Sequence, residues 1–95
     1  MQNLKVAFIQ SNLIWHNAEE NRRKFTQKIN LISEEVDLII LPEMFTTGFS
    51  MQPENIAETM HGETVEWMKK FALLKNTVIT GSIIIKENED YFNRL

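Results

Sequence analysis

Glu43 is the side chain in this sequence whose position most clearly allows chemistry. It follows residues 37–41, an apolar run typical of a buried parallel strand, and Pro42, which ends a strand because it lacks a backbone N–H. Active sites of open parallel α/β sheets lie beyond the carboxyl ends of the strands. The apolar neighbours Met44 and Phe45 are expected to desolvate the carboxylate in part, which suits a general base. A solvated loop acid that caps the following backbone fits the same position, so both interpretations stay open.

Other chemical side chains narrow the kind of site. Cysteine is absent, which excludes disulfides and thiolate metal ligands. His16 and His61 lie far apart without ligand spacing, so no zinc site is expected. An acid-dependent metal or phosphoryl site has only Glu43 and Glu54 in its favour. We therefore expect neither a metal nor an organic cofactor.

The first elements that must position Glu43 form a strand, a helix and a second strand. Residues 4–10 predict a strand covered on both faces. Asn17 predicts a helix N-cap, with Glu20 completing a capping box, and the apolar periodicity predicts a helix that ends near Ser33. Residues 37–41 predict a central strand with both faces buried.

The second half of the chain predicts a loop, a helix and two strands. Residues 46–55 predict a long surface loop, and residues 54–60 a short helical turn. A second helix over residues 62–74 carries a broad apolar surface that implies burial against a sheet or a partner. One stripe of that surface consists of Trp67, Phe71 and Leu74.

Residues 77–86 predict a third strand, in which Gly81 marks a bulge or a close backbone approach. Residues 91–95 predict the start of an antiparallel fourth strand after a polar turn. Because the pattern stops at the opening of a strand, we expect a truncated chain or one that needs a partner.

One segment, residues 41–50, resembles the first catalytic motif of the nitrilase (carbon–nitrogen hydrolase) superfamily. Its sequence is Leu-Pro-Glu-Met-Phe-Thr-Thr-Gly-Phe-Ser. Four further segments are similar to other parts of that family's layout, namely residues 5–10, 17–21, 81–82 and 91–94. The resemblance therefore covers essentially the whole chain. It implies an α/β fold, the N-terminal part of an αββα sandwich, with residues 1–95 forming a partial domain. Residues 44–49 most resemble ω-amidases, which hydrolyse α-keto acid monoamides such as 2-oxoglutaramate.

The resemblance also implies a catalytic set of Glu, Lys and Cys. Glu43 corresponds to the base that takes the cysteine thiol proton, and the lysine and cysteine would lie beyond residue 95, so we expect the chain alone to be inactive. Phe45, Thr47 and Phe49 are candidate substrate-binding residues, although packing explains the two phenylalanines and turn chemistry explains Thr47.

Tyr91 and Asn93 lie near the place where the family's site assembles. We expect core packing and a hydrogen bond beside the strand ladder for these two residues, rather than direct catalysis.

Composition sets the partners that we expect. The 95 residues suit one compact unit with a net charge of -3, and scattered Lys and Arg argue against nucleic-acid binding. The apolar runs 36–41 and 78–85 are too short to span a bilayer, and no signal peptide is evident, so we expect a cytoplasmic protein and no membrane partner.

The family implies a small amide substrate and a homodimer or higher homo-oligomer. A non-catalytic α/β interaction module that completes its sheet with a partner is the alternative.

Overall fold

The computed structural model describes residues 3–95, which form a mixed α/β unit. The helices and strands, in chain order, are β1 Val6–Phe8, α1 Ala18–Asn30, β2 Leu38–Ile40, α2 Glu63–Lys75, β3 Val78–Thr80, β4 Ile83–Glu87 and β5 Asp90–Arg94. A single 3₁₀ turn, Pro53–Asn55, lies within the stretch predicted to be loop and short helical turn. The predicted α/β class is confirmed.

The three short parallel strands β1, β2 and β3 form one sheet with β2 in the centre. Residues Val6, Leu38 and Val78 stand side by side in the register of this sheet. The helix α1 links β1 to β2 and α2 links β2 to β3, as parallel neighbours require. The carboxyl ends of the strands therefore lie together at one edge, and Glu43 follows the central strand.

The predicted third strand over residues 77–86 is wrong as a single element. It is divided at Gly81 and Ser82 into β3, which pairs in parallel with β2, and β4, which forms a separate antiparallel hairpin with β5. Gly81 packs so closely that a Cβ there would lie 2.9 Å from both the Leu41 Cβ and the Phe45 Cδ1. The packing of the chain after β2 thus breaks the strand, and the predicted antiparallel hairpin itself is confirmed.

The expectation that β1 and β2 are covered on both faces is also wrong within residues 3–95. Ile39 is completely buried beneath the helices, whereas Phe8 of β1 is 74% exposed and Leu38 and Ile40 of β2 are half-buried. Val78 of β3, in register with Leu38, is 62% exposed. Both helices contribute to the same core as Ile39, so the described residues leave the opposite face of the sheet open. The apolar residues of that core are Ile9, Phe25, Ile29, Ile39, Leu41, Phe45, Phe71, Ile83 and Ile85.

The first helix starts as predicted. The Asn17 side chain accepts a hydrogen bond from the Glu20 backbone N–H at 3.1 Å. The helix ends at Asn30, before the predicted end near Ser33. An exposed hydrogen bond from Arg23 holds the pKa of the Glu20 carboxyl below its ordinary value. This capped start fixes where α1 leaves the preceding segment.

The second helix buries only part of its predicted apolar stripe. Phe71 lies in the core and Trp67 packs on the Phe45 ring with centroids 5.7 Å apart, which confirms burial against the sheet side. Leu74 remains exposed, because it lies in the last turn, beyond the contact with the core. Among residues 3–95, no helix combines the length and the apolarity needed to cross a bilayer.

Candidate active site

Glu43 lies beyond the central strand, where the sequence places it, but its side chain is exposed. Leu41 continues the chain past β2, and its backbone N–H donates to the Thr80 carbonyl at 2.8 Å. Met44 and Phe45 turn into the protein and are buried. The expected desolvation of Glu43 by these neighbours is therefore wrong within the described residues, because their side chains point away from the carboxylate.

Ser82 fixes the backbone next to Glu43. Met44 adopts a left-handed conformation with φ 46°, which is uncommon for a residue with a side chain. Its backbone N–H donates to the buried Ser82 Oγ at 2.9 Å, and the Phe45 N–H donates to the Ser82 carbonyl at 3.2 Å. These two bonds hold the tight turn that directs the Glu43 side chain outwards.

Asn93 reaches the carboxylate from the hairpin. Its Nδ2 donates to the Glu43 Oε2 at 3.3 Å across 50 positions of sequence. The two side chains, together with Leu41, Ser82 and Leu95, line a cavity of about 300 Å³. This cavity is the candidate active site.

The expected core packing of Tyr91 and Asn93 is wrong, since both side chains are exposed on β5. Tyr91 lies beneath the Lys86 ammonium, whose Nζ is 5.9 Å from the ring centroid. Four of the five residues of β5 are exposed, so this strand lies on the surface of the described residues. The hydrogen bond of Asn93 goes to Glu43.

The three loop candidates do not gather around this cavity. Phe45 is fully buried and meets the Phe25 ring edge-on, with centroids 5.5 Å apart. Thr47 is buried, donates from Oγ1 to the Gly48 carbonyl at 2.8 Å, and lines a different cavity of about 380 Å³. Phe49 is 66% exposed. Phe49 is thus the one of the three whose ring is open to a ligand.

Asn21 ties the loop after Glu43 to the segment before α1. It is only 1% exposed. Its Nδ2 donates to the Thr46 carbonyl at 2.6 Å and to the Ile14 carbonyl at 2.7 Å, and its Oδ1 accepts from the Ile14 N–H at 2.8 Å. One buried amide therefore satisfies three backbone groups from two separate segments.

Trp15 and His16 hold the far end of the same loop. The His16 N–H donates to the Thr47 carbonyl at 2.8 Å, and its Nε2 lies 2.7 Å from the Ser50 Oγ. The Trp15 Nε1 donates to the Phe49 carbonyl at 3.0 Å. Sequence reasoning missed these contacts, because residues 13–16 carry no pattern that identifies a loop partner.

Acidic side chains do not cluster around Glu43. Within the part of the chain that the structure describes, no group of three or more His, Cys, Asp or Glu side chains could hold a metal ion. Glu54 lies exposed on the 3₁₀ turn, outside the lining of the Glu43 cavity. The geometry therefore brings Glu43 together with neutral side chains, Ser82 and Asn93.

The chain matches a known protein family along almost its whole length. The model of the carbon-nitrogen hydrolase family matches residues 5–95, and the chain belongs to that family. The suspected nitrilase-superfamily membership is thereby confirmed.

Relatives with stated activities are similar along nearly the whole chain. It is 35% identical to Omega-amidase YafV of Yersinia enterocolitica over 99% of its length, and 25% identical to 2-oxoglutaramate amidase of Bacillus subtilis over 95%. The chain covers 36% of each of these proteins, so it spans about a third of the curated relatives it matches.

A solved structure shares the fold. A CN-hydrolase superfamily protein from Xanthomonas campestris, whose crystal structure has an arsenic adduct in the active site, superposes with a TM-score of 0.92 at 34% sequence identity. The match covers 98% of this chain and 35% of that one. The chain therefore has a partial nitrilase-like fold.

Proposed function

We propose that residues 1–95 are the N-terminal part of a carbon–nitrogen hydrolase domain, and that the parent protein is an ω-amidase acting on α-keto acid monoamides such as 2-oxoglutaramate. The observation that carries the proposal is Glu43, held beyond the central strand by Ser82 in a chain similar to omega-amidases over nearly all its length. A carboxylate at that edge of a parallel sheet is well placed for proton transfer.

In the proposed reaction, Glu43 accepts the proton of a cysteine thiol as the sulfur attacks the amide carbon. A lysine stabilises the negative oxygen of the tetrahedral intermediate. The C–N bond then breaks, and ammonia leaves with the proton that Glu43 returns. Water hydrolyses the thioester, so that amide and water become carboxylic acid and ammonia. The lysine and the cysteine would lie outside residues 1–95, and the chain alone is expected to be inactive.

The candidate substrate-binding residues divide into two roles under this proposal. Phe49 is exposed and free to contact the substrate, whereas Phe45 and Thr47 are buried and hold the loop that carries it. The reaction uses no metal or organic cofactor. A cytoplasmic location and assembly into a homodimer or higher homo-oligomer remain predictions.

The test is ammonia release by the purified full-length parent. We expect release from 2-oxoglutaramate and much less from glutamine, which carries the same amide but has an amino group in place of the keto group. Preference for glutamine would refute the ω-amidase assignment, and no release from any small carboxylated amide would refute amide hydrolysis.

A non-catalytic interaction module is the second candidate. The absence of cysteine and the open sheet face at Phe8 and Val78 favour it. The reading frame after Leu95 discriminates between the two candidates. An in-frame lysine and cysteine favour the enzyme, whereas a stop codon directly after Leu95 favours the module.

A further inference from the structure

The Glu43 carboxylate needs an orienting contact that its own backbone does not supply. Ser82 fixes the peptide groups of Met44 and Phe45, but these bonds leave the side-chain torsions of Glu43 free. The carboxylate is exposed, so packing does not select one rotamer. A general base must hold its accepting oxygen within hydrogen-bond reach of the proton it takes. The residue that restrains the carboxylate therefore matters for the reaction.

Asn93 is held firmly enough to do this, although its side chain is exposed. It pairs with Ile84 in the β4–β5 ladder. Ile83, Ile84 and Ile85 are all buried, so β4 is anchored in the protein. Ser82 directly precedes β4. One hairpin therefore supplies both the serine that fixes the backbone beside Glu43 and the amide that reaches its carboxylate.

Arg94, the cationic neighbour of Asn93 in β5, contacts groups other than Glu43. The Arg94 guanidinium donates to the Glu87 Oε2 at 2.8 Å and lies over the Phe92 ring, 5.0 Å from its centroid. Successive side chains of a strand point to opposite faces, so Arg94 and Asn93 cannot both face Glu43. The carboxylate thus meets a neutral donor, which orients an oxygen without forming an ion pair.

We propose that Asn93 is a positioning residue that binds one oxygen of Glu43 and leaves the other free to accept the nucleophile's proton. The Asn93 Nδ2 contacts Oε2, so Oε1 is the oxygen that this contact leaves open. This inference rests on the proposed function, since it assigns Asn93 a role through the Glu43 base.

The test measures kcat and KM of the full-length parent for its amide substrate in two variants. Asn93→Ala removes the donor, and kcat is expected to fall about tenfold or more, as loss of a hydrogen bond to a charged group predicts, with KM within about twofold. Asn93→Asp keeps the size and shape but places a second acceptor and a like charge against Glu43, and a larger fall in kcat is expected. If Asn93 served only to hold the structure, the isosteric variant Asn93→Asp would keep the wild-type kcat.

The matched control is Glu89→Gln, in the exposed turn of the same hairpin, which should behave as the wild type. Thermal unfolding of the two Asn93 variants checks that a fall in kcat comes from the site and not from loss of the fold. With an active wild type and an inactive Glu43→Gln, full kcat in either Asn93 variant would overturn the inference. A rise in KM with unchanged kcat would also overturn it, since Asn93 would then bind substrate. A wild type that hydrolyses no amide would instead overturn the proposed function, and this inference with it.

Discussion

Asn21 is the residue on which the geometry of the loop after Glu43 most depends. Its side chain is buried and bridges the backbone of Ile14 and Thr46. Buried backbone groups that lose a partner cost about 1–3 kcal/mol each. A single amide therefore connects the start of α1, the preceding segment and the loop that carries Phe49.

Asn21→Leu is predicted to lower the free energy of unfolding by about 3 kcal/mol, because one buried and two partly buried backbone groups lose their partner without a change in side-chain size. Urea unfolding followed by circular dichroism measures the loss. Asn30→Leu, the same substitution at the exposed end of α1, is the control and should change stability by less than about 0.5 kcal/mol. Equal losses in the two variants would contradict the role of Asn21.

The residues that could be predicted from the sequence are those whose signal is local. Glu43 follows an apolar run and a proline, and Asn17 precedes its helix by one position, so neighbours in sequence identify both. Asn93 and Ser82 act on residues that are 50 and 38 positions away. The resemblance places Asn93 near the site, but its hydrogen bond to Glu43 and that of Ser82 to Met44 depend on the fold, and no local pattern predicts them.

At the scale of elements, the break at Gly81 decides how the site assembles. β3 completes the parallel sheet, and β4 turns away to form the hairpin that carries Asn93. The β-forming residues on both sides of Gly81 predict one strand, because a single glycine is a weak local signal. A close approach at Gly81 is one of the two features that the sequence predicts, and the tertiary structure identifies its partners as Leu41 and Phe45.

Gly81→Ala is predicted to destabilise the protein by about 1–3 kcal/mol, because the new methyl group would overlap two buried core side chains. The denaturant midpoint measures the effect. An unchanged midpoint in Gly81→Ala would show that the close packing is not required.

At the scale of the whole molecule, the described residues form one side of a sandwich. Both helices cover the same face of the β1–β2–β3 sheet, and Phe8 and Val78 remain exposed on the other. The continuous apolar pattern of short parallel strands predicts burial on both faces but does not identify what covers each. The chain spans about a third of the curated relatives it matches, which agrees with the proposal that residues 1–95 are the N-terminal part of a larger domain.

The most direct test of the account is turnover by Glu43→Gln in the full-length parent. Glutamine keeps the size of the side chain and cannot accept the thiol proton, so ammonia release from 2-oxoglutaramate should fall by about 10²–10⁴-fold, the range of general-base catalysis. Glu34→Gln, an exposed acid beyond the end of α1, should release ammonia at the wild-type rate. Wild-type turnover in Glu43→Gln would contradict the assignment of Glu43 as the general base.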